Sequence, residues 1–271
     1  MPEITNVNDI LNLMKESNKT FDSTVYVPSL NKEIHVKPMN ASHLKSIIKT
    51  AVSGVFANNV FNQTVFVILK EILDPSVSTT VITNFDKVAI LIQLRKCNGK
   101  NDIDVEVTSK DEKIEKKVSF GLDKIINKIK KGKFSFVEET IVDGPYTVTL
   151  AYPSIEQEFL FDLHFETTRI KKIDETDKAA LKELFGPLFI QELAQYVTHI
   201  KINEQEINLL ALKVEERLAV VESLSSSIIT QIIEKIDAVF GKQINDLLRV
   251  TTTENGDKLE GAIAINPTLF T

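Results

Sequence analysis

The chain is 271 residues long, 43% apolar and 26% charged, with a net charge of −6 and a pI near 5.4. That length supports one large or two modest domains whose core needs no metal or disulfide, and the acidic balance argues against a general nucleic-acid binder, which needs a basic surface. One cysteine, Cys97, excludes an internal disulfide and a Cys-based zinc cage; the first residues lack the order of a signal peptide, and no apolar run approaches the ~20 residues of a membrane span.

In chain order, Asn8–Glu16 has the spacing of a short amphipathic helix, with Ile10, Leu11, Leu13 and Met14 apolar. It reads either as an arm that docks on a neighbour or as a terminal helix tied to its own domain. Short strands follow at Ser23–Val27 and Glu33–Lys37, the second alternating through Ile34 and Val36 with His35 on the outer face. Asn40 or Ser42 can cap a helix running to about Phe56, with His43 incidental in its first turn. Asn58-Asn59 breaks the pattern, and a second apolar helix is expected over Asn62–Leu73, stopped by Asp74-Pro75. Ser76–Thr83 reads as a loop or a short strand.

Asn84–Lys100 holds the most apolar helical segment. Phe85, Val88, Ala89, Leu91 and Ile92 cover one broad arc, Ile90 and Leu94 extend it, and Asp86 and Gln93 mark a polar stripe. A helix apolar on most sides is normally buried on most sides. Thr83 or Asn84 can cap its start, and Asp86 suits the positive end of its dipole. Arg95 falls beside the apolar arc. Either its stem packs while the guanidinium meets the last carbonyls or water, or it is buried and paired to a carboxylate or a partner's backbone.

After Gly99 the pattern turns to alternation. Asp102–Val107 and Lys113–Phe120 read as a hairpin, Gly121–Lys131 as a short helix, and Phe134–Val142 with Tyr146–Tyr152 as a second strand pair. The lysines from Lys110 to Lys133 are mixed with acids and lack interleaved aromatics, which favours a solvated face over a nucleic-acid site. Ser154 can cap a Phe-dense helix over Ile155–Phe165, where His164 is a packing residue. Lys171–Glu175 is a charged link. Helix Lys178–Phe185 ends at Gly186-Pro187, Leu188–Tyr196 continues helically, and Val197–Ile202 and Ile207–Leu210 are extended. Val214–Glu222 and Ser226–Phe240 are amphipathic helices, with Gly241 an end or a kink. Leu247–Thr253 and Lys258–Ile265 flank Asn255-Gly256, a strong hairpin signal.

The expected fold is α+β: a mainly helical region over 1–100 with a short hairpin, a β-rich module over 101–153, and a helical region over 154–271 ending in a β-hairpin. Whether the module is a separate domain stays open. No catalytic, cofactor-binding or metal-binding set emerges. The nine glycines never fall at phosphate-loop spacing, and the histidines at 35, 43, 164 and 199 form no ligand pair on one element. Cys97 beside Arg95 and Lys96, which could lower its pKa, is the one nucleophile to weigh. The reading is therefore non-enzymatic, with no cofactor.

Several phrases resemble a family of T4-like phage baseplate proteins, the hub or hub-assembly subunits. They are Glu33-Ile34-His35-Val36-Lys37-Pro38-Met39 before the first long helix; Asn84-Phe85-Asp86-Lys87-Val88 through Leu91-Ile92-Gln93-Leu94-Arg95, like that family's central helix ending in Leu-Arg; Val118-Ser119-Phe120-Gly121-Leu122-Asp123-Lys124-Ile125; Gln195-Tyr196-Val197-Thr198-His199-Ile200 with Glu215–Leu224; and Leu259-Glu260-Gly261. The resemblance covers most of the chain. It departs where Lys96-Cys97-Asn98-Gly99 shortens a step after Arg95, and where Ser109–Lys113 and Thr252–Asp257 lack the cysteine pairs of some relatives, so no metal-clipped turn carries over.

The resemblance implies a structural part of a contractile tail baseplate in the virion, assembled in the host cytoplasm, with other tail proteins as partners and a place for multiple copies in a symmetric assembly; the acidic charge and the lack of a long apolar run argue for no nucleic acid and no membrane span. The alternatives are an assembly chaperone absent from the mature virion and an enzyme using Cys97. The expected contact residues are Arg95, Lys96 and Lys100 at the end of the central helix, Leu11 and Leu13 in the N-terminal helix, and Leu269 and Phe270 at the C-terminus.

Overall fold

A computed structural model describes residues 23–53, 57–109, 115–168, 182–254 and 257–270; the expected helix at Asn8–Glu16 and the link at Lys171–Glu175 lie outside them. Strands β1 (Ser23–Val27) and β2 (Lys32–Val36) pair antiparallel, Val25 opposite Ile34. Val25, Val27, Ile34 and Val36 turn inward and His35 outward, as the alternation requires. Asn31 takes the left-handed conformation at the turn, with φ 48°.

Helix α1 (Ala41–Thr50) is capped by Asn40, whose side chain accepts from the His43 N–H at 3.0 Å. His43 is not incidental. It is buried, its Nδ1 accepts from the Asn40 N–H at 3.2 Å, and Nε2 lies 3.2 Å from Glu71. Its ring thus plays the part usually taken by Glu or Gln in a reciprocal cap. The helix stops at Thr50, short of the expected Phe56. Helix α2 (Ala57–Ile72) includes Asn58 and Asn59 in its first turn, where backbone N–H groups have no helical partner in any case and Asn costs little.

Helix α3 (Asn84–Cys97) starts at Thr83, whose hydroxyl accepts from the Asp86 N–H at 3.1 Å while Asp86 accepts from the Thr83 N–H at 2.9 Å. Every residue from Phe85 to Arg95 is buried, Asp86 and Gln93 included. The polar stripe therefore faces protein, not water. Asp86 accepts from the Ser29 N–H at 2.9 Å and hydroxyl at 2.5 Å. Gln93 exchanges hydrogen bonds with the Tyr26 N–H and C=O, each 2.8 Å. Buried polar groups persist when so paired, and here they fasten the first hairpin along the helix.

Strands β3 (Asp102–Ser109), β4 (Glu115–Gly121), β5 (Glu139–Asp143) and β6 (Tyr146–Leu150) do not form one sheet. The first sheet has the order β4-β3-β10-β9, where β9 is Arg249–Glu254 and β10 Asp257–Ala262. The second is β5-β6-β7-β8, where β7 is Val197–Ile202 and β8 Gln205–Asn208. Each is completed by strands from beyond residue 154. In β10, Gly261 lies opposite Val107, and a Cβ there would sit 2.3 Å from the Glu106 carbonyl oxygen, so the approach requires glycine.

The expected strand from Phe134 begins only at Glu139. Phe134 and Phe136 lie before it and set their rings on Phe85, at centroid distances of 4.7 and 5.3 Å. Helix α4 (Leu122–Lys131) packs through Leu122, Ile125 and Ile129. Helices α5 (Ile155–Thr168) and α6 (Phe185–Tyr196) follow, with Gly186-Pro187 inside the first turn of α6, a position proline tolerates. After β8 a 3-10 turn takes Leu209–Ala211 in place of further strand. Helix α7 is Val214–Glu222 and α8 is Ser226–Lys235. Gly241 does not end the latter: a π-helical turn, Ile236–Gly241, leads into α9 (Lys242–Leu248), and Leu247 is helical. The Tyr152 hydroxyl donates to the Phe240 carbonyl in that turn at 3.1 Å, with the two rings edge to face at 4.7 Å. Val25, Phe85, Ile103, Val148, Phe161, Phe240 and Leu269 all belong to one buried apolar cluster, each such side chain contributing about 1.5–3 kcal/mol on burial.

Candidate contact sites around the central helix

Arg95 ends α3 on the buried side. Its Nε donates to the Asp102 carbonyl at 2.9 Å and Nη1 donates to the Leu269 carbonyl. It thus binds backbone of its own chain, at the start of β3 and in the 3-10 turn Pro267–Phe270. Burial lowers its pKa, with Asp104 and Asp102 opposing the shift; the guanidinium stays charged and suits carbonyl oxygens.

Lys96 is half-buried and pairs with Asp123. Lys100 is exposed, and its N–H donates to the Arg95 carbonyl at 3.3 Å across Gly99, whose φ is 80°. Leu269 and Phe270 are 1% and 7% exposed, and the chain's own core takes up these side chains. Leu11 and Leu13 lie outside the described residues. The lysines of α4 are partly engaged as well. Lys128 donates to the carbonyls of Asp246, of Leu247 at 3.2 Å and of Arg249 at 2.9 Å, closing the end of α9, and burial lowers its pKa. Lys130 lies 2.7 Å from Glu33.

A cleft of about 710 Å³ opens between α2, α5, α6 and the π-helical turn. Lys87, buried in α3, pairs with Glu158 on its wall and donates to Asn62 at 3.0 Å. Beside them Asp162 Oδ1 accepts from Asn59 Nδ2 at 2.9 Å. Asp162 Oδ2, Gln191 Oε1 and Asn84 Oδ1 are buried with no hydrogen-bond partner. Burial, then Glu158, push the Asp162 carboxyl up to about 7, with Lys87 opposing. Burial also raises Glu192. Phe185 and Phe189 line the cleft and are 67% and 41% exposed.

Behind this wall Arg217 places its guanidinium 4.8 Å from the Phe161 ring centroid. Its Nη2 donates to the Ala194 and Val197 carbonyls at 2.9 and 3.2 Å, closing α6, and burial lowers its pKa to about 10. Sequence reasoning did not single out Asp162, Gln191 or Arg217. The one local signal was an aspartate set between Phe161 and Leu163 in a Phe-rich helix.

Cys97 is half-buried and burial pushes its thiol up, outweighing the opposite effect of Lys96. His164 Nδ1 lies 3.3 Å from Glu215, and His199 Nδ1 lies 3.2 Å from the Thr198 hydroxyl. Among the described residues no group of three or more His, Cys, Asp or Glu side chains could hold a metal ion, and no helix is long and apolar enough to cross a membrane.

Residues 19–247 match the family model described as T4 bacteriophage base plate protein. No curated protein and no solved structure shows significant similarity to the chain. The match takes in the first hairpin, the central helix, the second sheet and the cleft. The chain belongs to the T4 bacteriophage base plate protein family, which implies a place in the tail of the virion and other phage tail proteins as partners.

Proposed function

We propose that the chain is a non-enzymatic structural component of the baseplate hub, acting through protein–protein contacts in tail assembly, and that it is folded and assembled in the host cytoplasm. The observation that carries this reading is the family match over residues 19–247. The hub placement draws on the phrase Asn84–Arg95, which forms the helix at the centre of the core. Burial of the Cys97 thiol supports a non-catalytic reading, because a raised pKa leaves little thiolate at neutral pH.

The test is a quantitative protein inventory of purified virions together with density for the tail axis. The chain is expected at a fixed copy number within the hub. Its absence from infectious particles whose assembly requires it would make it an assembly chaperone, and a position away from the axis would overturn the hub assignment. Cys97→Ser is expected to assemble normally; a folded variant that arrests assembly would reopen an enzymatic role.

A further inference from the structure

Strand β5 ends the order β5-β6-β7-β8, so one of its edges faces away from its sheet. The turn into β6 fixes which backbone groups that edge offers. Asp143 lies opposite Tyr146 across Gly144-Pro145, with Gly144 at φ 57°. A two-residue turn with a left-handed glycine first and proline second is type II′, and it closes on a hydrogen-bonded pair. Bonded and non-bonded pairs alternate along an antiparallel ladder. Glu139, Ile141 and Asp143 therefore turn their N–H and C=O groups to β6, and Thr140 and Val142 turn theirs outward. Both outward residues are exposed, Val142 to 68%.

Proteins guard bare edges with charge or brevity. β4 carries Lys116 and Lys117, and β8 has four residues. In β5, Thr140-Ile141-Val142 is uncharged and β-branched throughout, the composition that suits a strand. Its terminal charges are drawn aside to the helix behind it: Glu139 accepts from Lys235 at 3.1 Å, and Asp143 from Gln231 at 3.3 Å. Beside the edge runs a groove of about 400 Å³, with Thr140–Val142 on one side and Glu234, Ala238 and Val239 on the other.

Edge and groove together define the occupant. The outward groups pair with an extended backbone, and alternate side chains of an added strand fall on Ala238 and Val239. Of the charged residues in the groove and at the strand's ends, Glu139, Asp143 and Glu234 are acids and Lys235 is a base, which favours a strand bearing lysine or arginine. A second copy fits poorly. Antiparallel pairing of β5 with itself sets Glu139 opposite Asp143 at both ends, and like charges directly opposite destabilise a ladder.

We propose that the β5 edge is a docking site for an extended, basic segment of a neighbouring tail protein, which joins the sheet as an added strand over Ala238 and Val239. The proposal rests on the reading of the chain as a tail component that acts through protein contacts.

Hydrogen exchange tests the edge in the isolated full chain and in purified tails. In the isolated chain the Thr140 and Val142 amides are expected to exchange fast, while those of Ile141 and Val148 are protected. In tails the first two should slow by at least about tenfold. Protection already present in the isolated chain means that its own residues cover the edge, and overturns the proposal. Fast exchange in tails that contain the protein also overturns it and leaves the baseplate reading standing. Absence of the protein from tails overturns both.

Val142→Pro deletes one outward N–H and spares the ladder to β6, a change that an edge strand tolerates. The variant is expected to keep its melting temperature and the Val148 protection while tail assembly fails; Thr140→Pro is the second variant. Wild-type assembly with either folded variant overturns the docking site. The partner is identified with the photo-cross-linker p-benzoylphenylalanine in place of Val142. A cross-link is expected into another tail protein, within a few residues of a lysine or arginine. One only into a second copy, or into residues 1–22 or 169–181 of the same chain, overturns the assignment.

Discussion

Arg95 donates a hydrogen bond to the carbonyl oxygen of Leu269, 174 residues downstream. The end of the central helix and the C-terminal 3-10 turn are thus joined inside the core, with the Asp102 carbonyl as a second acceptor for the same guanidinium. Arg95→Ala leaves buried carbonyls without their charged donor and should destabilise the chain by about 2–4 kcal/mol. Arg95→Lys should recover only part of this, since an ammonium cannot span both carbonyls in one plane. Urea midpoints measure both; a loss well under 1 kcal/mol for the alanine variant would contradict the structural role.

Asp86 and Gln93 fasten the first hairpin to the central helix through Ser29 and Tyr26. Gln93→Leu keeps the bulk but leaves the Tyr26 N–H and C=O unmatched, a cost of about 1–3 kcal/mol. Asp86→Asn weakens both the helix cap and the Ser29 contacts, by about 1 kcal/mol or more. Native-state hydrogen exchange should show the Tyr26 and Ser29 amides opening faster in these variants while those of β6 and β7 hold their protection. Uniform acceleration across the chain would mean the hairpin is not separately fastened.

Gly261 lies against the Glu106 backbone where a methyl group has no room. Gly261→Ala should therefore cost about 1–3 kcal/mol by overpacking. The exchange protection lost should be that of β3 and β10, whose pairing the methyl forces apart. A variant with wild-type stability would show that this contact can relax.

Asp162 gives the pH dependence a definite sign. Glu158 faces it, Lys87 lies beyond, Asn59 and Asn62 adjoin it, and burial chiefly pushes its carboxyl up to about 7. The unfolded chain releases this proton near pH 4. Between those values the folded state binds more protons than the unfolded state, so this group's contribution to stability falls as pH rises through the window and is flat above it. Asp162→Asn removes that slope. Relative to wild type, the variant should gain stability on going from about pH 5 to about pH 8. Denaturation curves of the two proteins that stay parallel across that range would remove Asp162 as the cause.

The sequence made some of this legible and hid the rest for physical reasons. The central helix stood out because its apolar residues are dense. Its buried polar residues did not, because Asp86 and Gln93 read as a surface stripe until Ser29 and Tyr26 are brought against them. The strands were found from alternation, but not their partners: β10 selects β3 through Gly261, and nothing local announces that approach. Phe134 and Phe136 alternate as a strand does, yet they satisfy that pattern by packing on Phe85 without a ladder. His43 was overlooked because an imidazole is an unusual third residue of a cap. The cleft was invisible because Asn84, Asp162 and Gln191 come from three separate helices and meet only in the fold.

The pairing of β3 with β10 also sets an order of events in the cell. Translation delivers β3 and β4 first, as a two-stranded ribbon with one edge bare, and two-stranded ribbons are marginal on their own. The strand that covers that edge follows only after helices α5 to α9 have been made, and the carbonyl that meets Arg95 follows it. Most of the nascent chain must therefore wait with an adhesive edge exposed, the kind that recruits strands from other molecules. Commitment to this sheet waits on the helices that lie between its strands in the chain, and a chain stopped before residue 257 carries an open template instead of a finished sheet.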